Sequence, residues 1–299
     1  MVNNTLFAAI AQTLMHSLWQ GAIFLLLLLV LIYIFRNQPG LRYWLSLASL
    51  LLFALFNLIT FLILWQPEKV SITNDVFIGI THLNANFEFT EQSYSDQFIS
   101  YLIYAWVAGV LVFSLYRLIG LIYLQRLNYL APGIGSKSTM NRILDHWRKK
   151  LRIAREINLK TSKATQSPFT FGIFKPVIML PVAMLDWIST DQLEAIIVHE
   201  MIHIKRYDYL FNFFISLVEI IYFFNPAVWI LKKIIVRERE YSCDFLTNSV
   251  LNQPLNYCKT LLQLQSHSMQ SISVISFSHQ KNILMFQHRT KTIPPFPRK

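Results

Sequence analysis

Residues 209–231 read YLFNFFISLVEIIYFFNPAVWIL, 23 positions in which Glu219 is the only charge. At about 1.5 Å per helical residue this stretch matches the roughly 30 Å hydrocarbon core of a bilayer, so hydropathy alone makes it a membrane span. Its flanks contradict that reading. Upstream stands His199-Glu200-Met201-Ile202-His203, and downstream Arg237-Glu238-Arg239-Glu240-Tyr241-Ser242-Cys243-Asp244. On a helix the first motif projects both imidazoles from one face with the glutamate one step away, the arrangement that holds a zinc ion and the base that activates water. A catalytic zinc needs a third protein ligand within a few ångström of the other two. A single crossing would leave the two segments on opposite faces of the membrane. Asn225-Pro226 removes the conflict, because proline disfavours helix at the residue before it and cannot donate to the previous turn. The sequence therefore predicts a re-entrant or interfacial helical hairpin over 209–235, with 209–224 running in, 226–235 running back, and both ends on one side. Glu219 lies inside its apolar face, either as a functional group or as the cap of a polar contact within the hairpin.

The first ligand helix has a start signal. Ser189 with Gln192 three residues on fits a capping box, and Asp191 and Glu194 favour a helix N-terminus, which predicts a helix over roughly 190–207. Ile197, Val198, Ile202 and Ile204 make that helix apolar and enclose the imidazoles. Downstream, Glu240 is the candidate third ligand. Asp244, one turn later on the same face, is placed to accept the outer N–H of a ligating histidine. Glu238 competes with Glu240, but it points roughly 200° away on a helix and has no acidic partner a turn later. Cys243 is a soft alternative, yet Glu240 and Cys243 are not both needed if water is to keep a place on the metal. The candidate set is thus His199, His203 and Glu240 for zinc, Glu200 as catalytic base, and Asp244 behind them.

Composition places this chemistry at a membrane. The chain is 54% hydrophobic and 14% charged, with a mean hydropathy of +0.40, too apolar for an ordinary soluble protein of 299 residues. No charge occurs over 1–35, 43–67 or 97–116, so three transmembrane helices are predicted, at about 14–35, 43–65 and 98–117. The first lacks the basic flank of a signal peptide and is too long for one. The loop over 66–97 carries five acids against Lys69, whereas 126–208 carries 13 Lys and Arg against 7 acids. Positive charge stays inside, so the N-terminus and the acidic loop are expected outside and the zinc-bearing segment in the cytoplasm. The net charge of +11 is then mostly an inside signal, reinforced by anionic lipid near Arg148-Lys149-Lys150-Leu151-Arg152. Direct nucleic-acid binding is not expected, since the basic residues are spread through a membrane-tethered domain. With only Cys243 and Cys258, both on the predicted inner side, no structural disulfide is expected.

Three units follow: a membrane domain over 1–125, a cytoplasmic-side metallopeptidase domain over 126–265, and a polar tail over 266–299. Within the second, 138–155 has helical periodicity with Ile143, Trp147 and Leu151 inward, and 167–172 and 176–181 read as two short strands joined by a turn. Proline at both borders of the second strand predicts an edge, and an exposed edge beside the zinc helix would hold an extended substrate backbone or merely support the helix.

With these residues assembled, the chain resembles the BlaR/MecR family of membrane zinc metallopeptidases, the antirepressor signal transducers. The resemblance rests on His16-Ser17-Leu18-Trp19-Gln20-Gly21, on Ser167-Pro168-Phe169 with Phe171-Gly172 and Lys175-Pro176, and on the run from His199-Glu200-Met201-Ile202-His203 to Tyr207-Asp208-Tyr209. It continues through Phe224-Asn225-Pro226-Ala227-Val228-Trp229 to Glu240-Tyr241-Ser242-Cys243-Asp244. The resemblance implies zinc on His199, His203 and Glu240, Glu200 as base and acid, a small α+β gluzincin-like protease domain, a multi-pass protein of the bacterial cytoplasmic (inner) membrane, and a cytoplasmic repressor as protein substrate, cleaved directly or indirectly. Members usually continue into another transmembrane helix and an extracytoplasmic sensor, such as a penicillin-binding domain. Residues 266–299 hold no spanning stretch, so the chain reads as a short form or a truncated product. Sensing would fall to the acidic loop or to a partner, a second copy in a homodimer or a separate sensor protein.

Three other functions compete. An HtpX-like quality-control protease shares the zinc logic, but such enzymes usually place two full spans before the third ligand, and the 37 positions from His203 to Glu240 leave room only for a hairpin. A non-catalytic membrane signalling scaffold would differ in zinc content and activity. A transporter lacks a convincing polar pathway among so few spans.

Overall fold

The computed structural model describes residues 2–65, 92–135, 138–251 and 254–270. Three long helices dominate: α1 (Val2–Ile34), α2 (Pro39–Leu64) and α3 (Gln92–Leu130). Each contains a stretch long and apolar enough to cross a membrane, Leu6–Ile34, Pro39–Leu64 and Ile99–Leu130. Pro39 opens α2 at a position where its missing N–H costs nothing. The third helix is longer than the expected 98–117. Its 39 residues rise about 58 Å, and it runs past Arg117 because its last turns have their own anchor. Leu127 and Ala131 pack on Met179, and Lys160 Nζ donates to the Asn128 carbonyl at 2.6 Å. The boundary expected at 125 therefore falls inside a continuous helix. Residues 92–97 of the acidic segment form the start of α3, while 66–91, like the tail beyond 270, lie outside the described residues.

Beyond α3 come α4 (Thr139–Lys150), capped by Ser138 Oγ accepting from Asn141 N, and three strands, β1 (Asn158–Ser162), β2 (Phe169–Phe171) and β3 (Val177–Pro181). Their order is β1-β3-β2, with β1 parallel and β2 antiparallel to β3. This corrects the expectation that the proline-bordered strand is an edge. All five residues of β3 are buried and the strand is central, because Pro176 lies just outside it and Pro181 is its last residue. The edge is β2.

Helix α6 (Thr190–Arg206) follows the short α5 (Val182–Leu185) and begins with the expected capping box of Ser189 and Gln192. Tyr207, at φ 60°, ends it, and α7 (Asp208–Ile221) starts at once. After a turn, α8 (Pro226–Leu251) runs back, and α9 (Pro254–Gln270) crosses beside α6. Helices α7 and α8 are the expected hairpin, with its turn at Asn225-Pro226. Asn225 is buried, accepts from Ala227 N at 2.9 Å and donates to the Ser17 carbonyl in α1 at 2.8 Å. The tip thus reaches the middle of α1. It also meets the middle of α2, where Phe53 packs on Tyr222 with centroids 5.1 Å apart, and α3, where Phe113 stacks on Phe223. A Cβ at Gly21 would come within 3.0 Å of Asn225, and one at Gly109 would overlap the Phe223 ring, so both glycines permit the close approach. Glu219 caps a polar contact here: it pairs with Arg117 of α3 and, at 2.5 Å, with Lys232 of α8.

Among the described residues two large apolar cores result, beside the small cluster of Leu127, Ala131 and Met179. One joins α4, β3 and α6 through Leu144, Trp147, Ile178, Leu180 and Met201, and the other joins α1, α2, α7 and α8 through Leu28, Leu50, Phe53, Ile215 and Leu231. The candidate site lies where α6, of the first, meets α8, of the second.

Candidate metal centre

The apolar face of α6 presses Ile197, Val198, Met201 and Ile204 into the first core and turns His199 and His203 the other way, one above the other. Their Nε2 atoms are 3.1 Å apart. Glu240 arrives from α8, 14 residues or about 21 Å beyond the hairpin turn, with Oε2 3.8 Å from each Nε2. A triangle with these sides has its corners about 2.1 Å from its centre, the bond length that zinc takes to imidazole and carboxylate. The three expected ligands therefore converge, and their two-nitrogen, one-carboxylate donor set suits zinc. Burial pushes the His199 imidazole down, but the Glu240 carboxylate, followed by Asp244 and Glu200, outweighs it and holds the pKa up at about 9. Against its own burial, Glu240 is held well below the usual carboxylate range by His199, His203 and Arg239.

Glu200 is buried beside the histidines, and Thr170 Oγ1 on the edge strand β2 donates to its Oε2 at 2.6 Å. Glu238 is fully buried and ion-paired with Arg42 and Arg237, which removes it as a rival ligand. Cys243 is also fully buried, but its Sγ lies 3.3 Å from His203 Nδ1, behind the imidazole and away from Glu240. Burial pushes its thiol up, and its sulfur groups with His203 and Asp208, on the far side of the imidazole from Glu240.

The second layer differs from expectation. Asp244 Oδ1 lies 3.5 Å from His199 Nδ1, while the Tyr257 hydroxyl lies 2.7 Å from that nitrogen and donates to Asp244 at 2.8 Å. Asp244 thus supports His199 mainly through a tyrosine from α9. His203 Nδ1 is held directly at 2.7 Å by Asp208 Oδ2, and Asp208 Oδ1 accepts from the Tyr43 hydroxyl of α2 at 3.0 Å. Sequence reasoning missed Thr170, Tyr257, Tyr43 and the role of Asp208. None of them left a local signal, since Asp208 is also the first residue of α7, where the helix dipole by itself favours an acid.

A cleft of about 1830 Å³ opens onto His199, His203 and Glu240. It is walled by β2 on one side, by Tyr209, Phe213 and Leu217 of α7, and by Leu121 and Leu124 of α3.

The family model described as BlaR1 peptidase M56 matches residues 12–291. The chain is 30% identical over 190 residues, 63% of its length and 31% of the relative's, to the regulatory protein BlaR1 of Bacillus licheniformis. It is 24% identical over 212 residues, 70% of its length and 34% of the relative's, to the methicillin resistance mecR1 protein of Staphylococcus aureus, and 29% identical over 184 residues to that organism's regulatory protein BlaR1. The chain spans about a third of the length of these relatives. Because the family match takes in most of α1, all of α2 and α3, the hairpin and both segments that meet at the candidate metal centre, the chain belongs to the BlaR1 peptidase M56 family.

Proposed function

We propose that the chain is a membrane-embedded zinc metalloendopeptidase with a regulatory role, cutting a cytoplasmic protein such as a transcriptional repressor. The observation that carries this is the convergence of His199, His203 and Glu240 on one point, with Glu200 beside it. In this reading the first three hold zinc in a gluzincin-like set, and Glu200 is the catalytic base and acid. Bound zinc supplies Lewis acidity for the attacking water and the scissile carbonyl. Glu200, aligned by the Thr170 hydroxyl, takes the water's proton on its carboxylate and passes it to the leaving amine. The edge of β2, which no described strand pairs, would pair with an extended substrate backbone, and the cleft is larger than the roughly 300–1,000 Å³ of a small-ligand pocket, as a polypeptide requires.

The return of α8 to the end of the bundle where α1 turns into α2 agrees with a zinc site on the cytoplasmic side of the inner membrane, with the N-terminus outside. Two variants test the roles: Glu200→Gln keeps stoichiometric zinc and loses cleavage, whereas Glu240→Ala loses zinc. Metal retained by purified Glu240→Ala would sink the ligand assignment. For the substrate, proteomes of cells carrying the wild type and Glu200→Gln are compared, and a repressor that persists only in the variant is the expected result.

A further inference from the structure

The metal centre draws support from a membrane helix. Tyr43 is in the first turns of α2, 1% exposed, and its hydroxyl bonds Asp208, itself 3% exposed, which bonds His203. Arg206 closes the other side. Its guanidinium lies over the Tyr43 ring at 4.2 Å, and its Nε is 3.6 Å from the same Asp208 oxygen that Tyr43 contacts. The preceding residue, Arg42, reaches the other ligand helix, pairing with Glu238 two residues before Glu240. Adjacent side chains of α2 therefore hold both helices that carry ligands. Asp208 is in place to receive Tyr43 because Tyr207, at φ 60°, turns the chain sharply at the end of α6. That left-handed turn is unfavourable for a non-glycine residue, and the Arg155 guanidinium stacked 3.9 Å over the Tyr207 ring braces it.

Resting on the proposed zinc site, we infer that Tyr43 is a positioning residue of the metal centre. Its hydroxyl orients Asp208, Asp208 orients the His203 imidazole, and the ligand set is fully formed only while α2 is seated against α6 and α8. Any displacement of α2 reaches a ligand through two hydrogen bonds, so the membrane helix sets the affinity of the site and not only its location.

The experiment uses the full chain in detergent or nanodiscs. Zinc affinity is measured by competition with a chelator for wild type, Tyr43→Phe, Asp208→Asn and the double variant. Outer partners of metal-bound histidines typically contribute about 10–100-fold in affinity. Tyr43 stands one bond further out, so Tyr43→Phe is expected to weaken zinc about tenfold. In the Asp208→Asn background it should change little more, since it acts through Asp208. Unaltered affinity in Tyr43→Phe, or an effect that simply adds to that of Asp208→Asn, overturns the inference. If Tyr43→Phe is too unstable for titration, the rise in melting temperature on adding zinc decides. A positioning role shrinks that rise, and a merely structural role lowers the zinc-free and zinc-loaded forms alike and leaves the rise unchanged. Failure of the zinc site itself shows separately, as wild type that binds no zinc or Glu240→Ala that retains it.

Discussion

The two histidines of the proposed zinc site are each backed by one carboxylate and one tyrosine, but in opposite order. His203 is held directly by Asp208, with Tyr43 behind the carboxylate, whereas His199 is held first by Tyr257, with Asp244 behind the hydroxyl. Their surroundings differ as well. The His203 arm is enclosed by α2, Arg206 and Cys243, and the His199 arm rests on α9, near the end of the described chain. A carboxylate in direct contact fixes the tautomer and raises the basicity of the imidazole, while a neutral hydroxyl fixes the tautomer with a weaker field. The ligand nearer the membrane helix is thus the more rigidly specified.

The largest effect is expected on the His203 arm. Asp208→Ala removes the acceptor of His203 Nδ1 and leaves the buried Tyr43 hydroxyl without its partner, so zinc affinity should fall toward the upper end, about 100-fold, of what such outer partners contribute. Chelator competition measures it. A loss smaller than that of Asp244→Ala would reverse the ranking of the two arms.

The second test concerns protons. In the metal-free protein the Glu240, Asp244 and Glu200 carboxylates outweigh burial and hold the His199 pKa up at about 9, above the ordinary histidine value, which favours a proton that His199 must lose to ligate. Zinc affinity should therefore rise with pH, by about tenfold per unit, until it levels off near 9. Zinc-free stability has the opposite sign. A histidine with a raised folded pKa stabilises the fold below its unfolded value of about 6.5, and that stability is lost as pH rises through 9. Glu240, with a lowered pKa, contributes above the ordinary carboxylate range and loses its contribution as pH falls. Calorimetry of zinc binding in buffers of different ionisation enthalpy should register about one proton released per zinc at pH 7.5. No release would place the proton elsewhere.

A third test breaks the path that brings the arms together. Asn225→Ala removes two buried hydrogen bonds at the hairpin tip and should destabilise the fold by about 1–3 kcal/mol, read by thermal unfolding. Zinc stoichiometry should survive, since the tip is about 21 Å from Glu240 along α8.

What could be read from the sequence divides by sequence separation, and the division cuts across both arms. The capping box at Ser189, the helix-breaking Asn225-Pro226 and the one-turn spacings of His199 to His203 and Glu240 to Asp244 are local, so periodicity and backbone chemistry expose them. Tyr43 meets Asp208 across 165 positions, Tyr257 meets His199 across 58, and Thr170 meets Glu200 across 30. No local pattern marks such pairs, because only the folded core brings them together. Strand β1 escaped for a related reason. In Asn158–Ser162 only Leu159 and Ser162 are buried, too few apolar positions to stand out, and its hydrogen bonds come from parallel pairing with β3 and from the distant Pro132 and Ile134. The proline borders of β3 misled in the other direction, since they lie at its ends and remove nothing from its interior ladder.

The smallest effect is expected from Tyr257→Phe. The substitution deletes the hydroxyl between His199 Nδ1 and Asp244 Oδ1, two groups already 3.5 Å apart. The phenyl ring keeps the packing that the tyrosine ring makes over His199, with centroids 6.3 Å apart, and the carboxylate needs to move only a few tenths of an ångström to accept the imidazole N–H directly. The His199 arm would then adopt the carboxylate-first order of the His203 arm, the very contact expected from Asp244 on sequence grounds. Zinc affinity should change less than about tenfold, below the usual span for losing an outer partner. Adding Asp244→Ala should then expose the full loss. If Tyr257→Phe alone matches Asp208→Ala, the two arms are equivalent and the order of carboxylate and tyrosine does not matter.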